Sequence, residues 1–248
     1  MIFVTRPSPE GEILTEWLNN SNLSAKHLPL FSISAGDDLQ NLQYQFNNLL
    51  PNDIVIIVSP QVIHTIKTNL PNFLFPTNIN YFAIGKKTAK LLNQFTPNQV
   101  IYPAQENSEG LLALLTYESV KNRTVLILRG NVGRPLLMES LTEMQANVKL
   151  LECYQRHPIT YSTDILTNNI KKQIIIITSV QHLMQLELYC KTQHKNFATL
   201  IVTSERIFEK AKQLKWKKVL QVKGANNQIL FKTMITLCHN VTFNLIDF

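Results

Sequence analysis

A chain of 248 residues, 45% hydrophobic and 17% charged, has room for one large or two small domains with buried cores, and this composition excludes a disordered protein. Its longest apolar runs are of strand length, well short of the roughly 20 residues that span a bilayer, and Met1-Ile2-Phe3-Val4-Thr5-Arg6-Pro7 lacks the pattern of a secretory signal. The formal net charge of +7, from 24 basic and 17 acidic side chains, suits nucleic acid, a membrane surface or a polyanionic small molecule without choosing among them. Cys153, Cys190 and Cys238 are scattered and include no C-x-x-C pair, so they read as free thiols in a reducing compartment, the cytoplasm.

Short apolar runs alternate with amphipathic stretches from end to end, the pattern of an α/β protein with mainly parallel sheets. The first unit predicts a strand over Ile2–Thr5, a helix, and a second strand near Lys26–Leu30. Ser8 is placed to cap that helix with Pro9 in its first turn, and Ile13, Leu14, Trp17 and Leu18 would form its buried face. A second kind of unit follows: DIVIIVSPQVIHTI from Asp53 predicts a strand entering a helix at Ser59, and YFAIGKKTAKLL from Tyr81 predicts another such step. The first kind then returns, with a strand over Val125–Leu128 ending at Arg129. A helix follows with Leu137, Leu141 and Met144 on one face, and then a strand over Val148–Cys153. The second kind returns in QIIIITSVQHLMQL from Gln173 and TLIVTSERIFEKA from Thr199, where Ser179 stands 120 residues after Ser59. This order of units, first, second, first, second, predicts two similar α/β domains and not a single eight-stranded barrel. The residues alone leave open which units pair within a domain.

Ligands of open parallel sheets bind beyond the carboxyl ends of the strands. Here those ends carry Thr5-Arg6, Ser59, Gly85-Lys86, Arg129-Gly130, Thr178-Ser179 and Thr203-Ser204, each followed by a helix whose N-terminal amides favour anions. Ser59 before Pro60 and Ser204 before Glu205 are also what an ordinary helix cap requires. It is the recurrence at every strand end that points to a ligand rich in carboxylates. Arg129-Gly-Asn-Val-Gly-Arg134 resembles an anion-binding turn, but neither a phosphate loop nor a dinucleotide fingerprint is present. The six histidines show no metal-ligand spacing, and no nucleophile elbow occurs. The lysines at 210, 212, 215, 217, 218 and 223 read as a solvated helix face and strand edge.

Nine short motifs carry a resemblance. In order they are VTRP (Val4–Pro7), LPLFSI (Leu28–Ile33), IIVSPQ (Ile56–Gln61), AIGKKTAKLL (Ala83–Leu92) and NSEGLL (Asn107–Leu112). They continue with LILRGNVGRPLLMESL (Leu126–Leu141), ECYQRHP (Glu152–Pro158), IITSVQHL (Ile176–Leu183) and TSERIFEKA (Thr203–Ala211). As an ordered set they resemble the uroporphyrinogen-III synthases along nearly the whole chain. The resemblance implies two flavodoxin-like domains, each a parallel sheet flanked by helices, joined by a two-stranded connection with a cleft between. Residues 1–33 plus 158–248 would form one domain and 34–157 the other. It also implies cyclisation of hydroxymethylbilane with inversion of its last pyrrole ring and loss of water, without cofactor or metal. Tyr154 matches the family's cleft tyrosine and Thr88 its cleft threonine, the two catalytic candidates. Arg6, Ser59, Gly85, Lys86, Arg129, Arg134, Thr178, Ser179, Ser204 and Arg206 are candidates for holding the substrate's carboxylates. The expected partner is this small molecule alone, bound by a monomer, with neither nucleic acid nor membrane. The alternative is a non-catalytic two-domain binding module for a polycarboxylate. A nucleic-acid binder ranks last, because no recognition motif or aromatic-basic surface pattern accompanies the charge. The chain departs from the family pattern at Val58, where a threonine is usual, and in lacking a glycine within Glu143–Asn147 and Leu214–Trp216. Asn147 is suited to the left-handed turn that the first of these helix ends needs.

Overall fold

The structure, a computed structural model, describes residues 1–166 and 169–243. It divides into two compact units, Met1–Ser32 with His157–Phe248 and Ile33–Arg156. The chain opens with β1 (Ile2–Val4), α1 (Glu10–Asn20) and β2 (Ala25–His27), then enters the second unit along β3 (Phe31–Ala35). There it forms α2 (Leu42–Asn47), β4 (Ile54–Ile57), α3 (Pro60–Asn69), β5 (Asn80–Ala83), α4 (Lys86–Leu92), α5 (Ser108–Leu114), α6 (Tyr117–Val120), β6 (Thr124–Gly130) and α7 (Leu136–Glu143). The long strand β7 (Asn147–Pro158) leads back. The first unit is then completed by β8 (Ile174–Ile177), α8 (Val180–Glu187), α9 (Thr192–Phe197), β9 (Thr199–Val202), α10 (Glu205–Gln213), β10 (Lys218–Gln221) and α11 (Asn227–Phe243). Among the described residues no helix is long and apolar enough to cross a membrane.

The first unit's sheet runs β10-β9-β8-β1-β2, with Phe3 of β1 registered between Lys26 of β2 and Ile175 of β8, both parallel. In the order the strands occur along the chain this is the 2-1-3-4-5 arrangement of flavodoxin-like sheets. The second unit's sheet runs β3-β7-β6-β4-β5, its register set by the parallel pairs Ile56–Phe82 and Ile56–Ile127. Each sheet therefore combines a unit of the first kind with one of the second: the first two strands of the chain pair with its last strands, and the middle strands pair among themselves. β3 and β7 lie side by side where the chain passes between the units, and Gly36 N donates to Cys153 O at 3.0 Å.

The isoleucine-rich runs are explained by burial on both faces of each sheet. Along β4, Ile54 and Ile56 join one apolar cluster with Leu111, Leu137 and Leu141, whereas Val55 and Ile57 join another with Val62, Ile66 and Phe46. Along β8, Ile175 and Ile177 pack with Leu183, Leu186 and Trp216, while Ile176 packs with Leu14, Leu18 and Leu230. Each such side chain contributes roughly 1.5–3 kcal/mol on leaving water, which holds β4 and β8 in the interior of their sheets.

Several local expectations are corrected. Ser8 does not cap α1: Pro9 occupies the cap position, no side chain caps the helix, and the Ser8 hydroxyl donates to Glu12 Oε1 at 2.7 Å. On the same helix Leu14 and Leu18 are fully buried, but Ile13 (36% exposed) and Trp17 (37%) lie at the margin, where Trp17 meets Phe231 edge-on. The strand expected near Lys26–Leu30 ends at His27, with β3 beginning afresh at Phe31. The return strand β7 continues past Cys153 to Pro158. After α7 the left-handed residue is Gln145 (φ 62°), not Asn147, and after α10 it is Lys215 (φ 68°). Both helices thus stop at a side-chain-bearing residue in the conformation that glycine most readily supplies.

Candidate active site

In each sheet the crossovers diverge from one central pair of strands, and in open α/β sheets ligands bind beyond the carboxyl ends of such a pair. In the second unit the pair is β4 and β6. β4 runs through α3 to β5 on one side, and β6 runs through α7 to β7 on the other. The ends of these strands present Ser59 and Arg129-Gly130.

A register shift between Arg129 and Gly130 sets Gly130 opposite Tyr154 of β7. The ring of Tyr154 covers Gly130 so closely that a Cβ there would lie 2.5 Å from ring Cε2. The residue is 2% exposed, and its hydroxyl stands 3.3 Å from Ser59 Oγ. Two residues further along the strand, on the same face, Arg156 donates from Nη2 to the Tyr154 hydroxyl at 3.0 Å. The Arg156 guanidinium carbon also lies 5.4 Å from the ring centroid. The turn after β6 is tied to β7, with Asn131 N donating to Tyr154 O at 3.0 Å and Arg156 N to Asn131 Oδ1 at 3.1 Å. Ser59 serves twice, because its hydroxyl also accepts from Gln61 N at 3.2 Å as the cap of α3. Neighbouring Cys153 is no nucleophile: burial first, then the charge of Asp38, pushes its thiol up to about 12.

Of the other candidates in this unit, Arg129 turns its Nε to Gly130 O at 3.1 Å, and its guanidinium lies against Gly133. Arg134 pairs with Glu109 Oε1 at 2.6 Å, both side chains about half exposed (48% and 50%), and the hydrogen bond to Glu109 raises the arginine's pKa. Gly85 caps α4 with an extended backbone, and the Lys86 amide donates to Glu106 Oε2 at 3.1 Å. Two of the expected carboxylate-binding points are therefore already met by carboxylates of this chain. Lys86 itself is exposed. Thr88 is buried in the first turn of α4 beside Ala89 and Leu92, and among the described residues it forms no hydrogen bond with the Tyr154 group.

The first unit's diverging pair is β1 and β8. Beyond β1, Thr5 donates to Ile176 O at 2.7 Å, and Arg6 donates from Nη1 to Asn227 Oδ1 at the start of α11. Burial pushes the Arg6 pKa down, with the charge of Glu10 acting the other way. Beyond β8, Thr178 Oγ1 stands 3.3 Å from His182 Nδ1, and Ser179 caps α8 by accepting from His182 N at 3.1 Å. The His182 ring is buried and stacks on Phe31 with centroids 5.4 Å apart. Ser204 stands at the cap position of α10 without a side-chain cap bond, and Arg206 is exposed in the first turn. Arg6 and Thr178-Ser179 thus follow the two strands of one diverging pair, whereas Ser204 and Arg206 follow β9, the next strand along.

The sequence reading missed Arg156, Glu106, Glu109, His182 and Asn227. Only Arg156 had a usable signal, the two-residue repeat that places it on the face of Tyr154.

Fold and site together define a two-unit α/β protein of flavodoxin-type strand order, with hydroxyl, guanidinium and amide donors at the diverging strand ends. Residues 14–232 match the family described as uroporphyrinogen-III synthase HemD, and the chain belongs to that family. It is 32% identical to the uroporphyrinogen-III synthase of Escherichia coli K12 over 245 residues, 94% of this chain and 99% of the relative. It is 38% identical to that of Proteus mirabilis over 166 residues, 66% of this chain and 83% of the relative. Its fold is similar to that of uroporphyrinogen-III synthetase from Helicobacter pylori 26695, with a TM-score of 0.61 at 16% identity over 95% of this chain and 98% of that one. A mutant uroporphyrinogen III synthase from the extremely thermophilic bacterium Thermus thermophilus gives 0.60 at 13% identity, over 96% and 98%.

Proposed function

We propose that this chain converts hydroxymethylbilane into uroporphyrinogen III, working as a cytoplasmic monomer. Membership of the family carries the reaction, and the buried Tyr154 hydroxyl at a diverging strand end is the observation that carries the mechanism. The carbon–oxygen bond of the terminal hydroxymethyl group breaks, and the oxygen takes up a proton and departs as water. The resulting azafulvene cation is attacked by the substituted carbon of the last pyrrole, which becomes a spiro carbon. The bond from that carbon to its original methylene bridge then breaks, the methylene rejoins the ring at the unsubstituted α-carbon, and the proton on that carbon is released. Nothing is oxidised or reduced. Tyr154 hydrogen-bonds the departing hydroxyl. The substrate's carboxylates are met by Arg129, Arg134 and the Lys86 amide, donors of the same unit as Tyr154, which fix the chain in the geometry that favours inversion. Thr88 is the second catalytic candidate, carried by its match to the family's threonine.

The test is turnover of hydroxymethylbilane by the purified protein with analysis of the product isomer. The type III isomer is expected at a rate that chelators leave unchanged, since the sequence carries no metal or nucleotide motif. The uninverted isomer at the uncatalysed rate would instead leave a module that binds polycarboxylates without turnover.

Arg134 allows a separate prediction. Arg134→Ala should raise the half-saturating substrate concentration by up to about fivefold, the scale of one exposed ion pair, with turnover unchanged. Glu109→Gln frees the guanidinium and should lower that concentration by a similar factor. Both shifts should shrink as salt is added. If Arg134→Ala leaves half-saturation unmoved at low salt, Arg134 is a partner for Glu109 and nothing more.

A further inference from the structure

The phenolic oxygen of Tyr154 has two polar neighbours, Arg156 Nη2 at 3.0 Å and Ser59 Oγ at 3.3 Å. A guanidinium has donors only, so Arg156 occupies one lone pair of that oxygen and cannot take the phenolic proton. Ser59 accepts from the Gln61 amide at 3.2 Å and has its own hydroxyl proton to place. Either hydroxyl of the Ser59–Tyr154 contact can donate. When Ser59 donates, with Arg156 on the other lone pair, the phenol's acceptor capacity is full and its single proton points outward. Arg156 suits this task because its planar fork can pack along the ring and still bring a terminal N–H to the oxygen, which a lysine ammonium cannot match. Asn131 Oδ1 fixes the backbone of Arg156 at 3.1 Å, so the donor is presented from a fixed point on the strand.

We infer that Arg156 is a positioning residue for the ring closure: it holds the Tyr154 oxygen as an acceptor and, with Ser59, turns the phenolic proton toward the departing hydroxyl of the substrate. The inference rests on the reading of Tyr154 as the group that meets that hydroxyl.

The experiment is a kinetic cycle in the full chain, with Arg156→Met and Arg156→Lys made in the wild-type and Tyr154→Phe backgrounds, and with thermal melts to check folding. Arg156→Met should lower kcat by about tenfold, the low end of what a hydrogen bond to a charged group is worth, with KM nearly unchanged. Arg156→Lys keeps a donor and should recover part of the loss, and it stands in should the methionine variant fail to fold. In the Tyr154→Phe background neither change should lower kcat further, because no phenolic proton remains to be aimed. If Arg156→Met raises KM at constant kcat, or lowers kcat equally in both backgrounds, Arg156 contacts substrate or scaffold and the inference is overturned. A Tyr154→Phe protein with wild-type turnover would overturn the reading of Tyr154 itself. Slow Tyr154→Phe with unaffected Arg156→Met would overturn only the inference.

Discussion

Turnover in the Tyr154→Phe variant is expected to fall about 10²-fold, the contribution available from one proton-handling group, while the half-saturating substrate concentration changes little. The ring stays and keeps its packing against Gly130, so the core is preserved. The oxygen goes, and with it the contacts to Ser59 and Arg156. Of these two hydrogen bonds one is worth about 1 kcal/mol and the other, from a charged donor, about 1.5–3 kcal/mol, so the variant should melt lower but remain folded. Added salt should not restore or worsen the defect, in contrast to the Arg134 variant, because a neutral hydroxyl is not screened. Steady-state kinetics with a melt on the same preparation decide the matter. Wild-type turnover with a lowered melting temperature would make Tyr154 a packing residue and displace the site from this strand end.

Gly130→Ala should damage both stability and catalysis, for a reason the geometry states directly. An added methyl would lie 2.5 Å from Cε2 and 2.6 Å from Cζ of Tyr154, where no carbon can stand. Because the ring is buried within the cluster that holds Leu151, Leu128 and Ile57, it cannot step aside without disturbing its neighbours. Overpacking of this kind costs about 1–3 kcal/mol. The displaced hydroxyl also leaves Ser59 and Arg156, and a misplacement of about 1 Å at a reacting group is worth about 10²-fold in rate. A lowered melting temperature together with turnover near that of Tyr154→Phe is the expected pair of results. Should Gly130→Ala keep wild-type turnover, the hydroxyl need not stand where the structure places it.

How far the sequence foretold this molecule depends on the range of the interaction concerned. The β4 and β8 strands were readable because both faces of each are covered, which forces an unbroken apolar run. The cap at Ser59 was readable because a cap is settled within three residues, whereas Ser204 takes the cap position without making the side-chain bond. Ser8 failed by that same local logic: its hydroxyl found the Glu12 carboxylate in place of a backbone amide. The combination of first and last strands in one sheet was not legible from pattern alone, since either pairing buries equivalent faces. The site was least legible where its geometry turns on a single irregularity. The register shift at Arg129–Gly130 brings Tyr154 opposite a glycine, and no periodicity announces it. Likewise, Glu106 and Glu109 reach Lys86 and Arg134 across 20 and 25 residues, by contacts that only folding creates.

The division of the first unit into two stretches of chain sets a timetable for synthesis. The second unit is one continuous stretch, so its five strands emerge together and its core can close while the C-terminal third of the chain is still being made. β1 has no such fortune: one of its neighbours is β8, paired Val4 to Ile176. At about 5–20 residues per second, the ribosome takes roughly 7–30 s to travel from β2 to β8. Throughout that interval Ile2, Val4, Leu14 and Leu18 wait without the strand and the C-terminal helix that will cover them. β1 and α1 are thus made before the second unit yet completed after it, and a nascent chain arrested before β8 carries a finished second unit together with an uncovered, aggregation-prone segment.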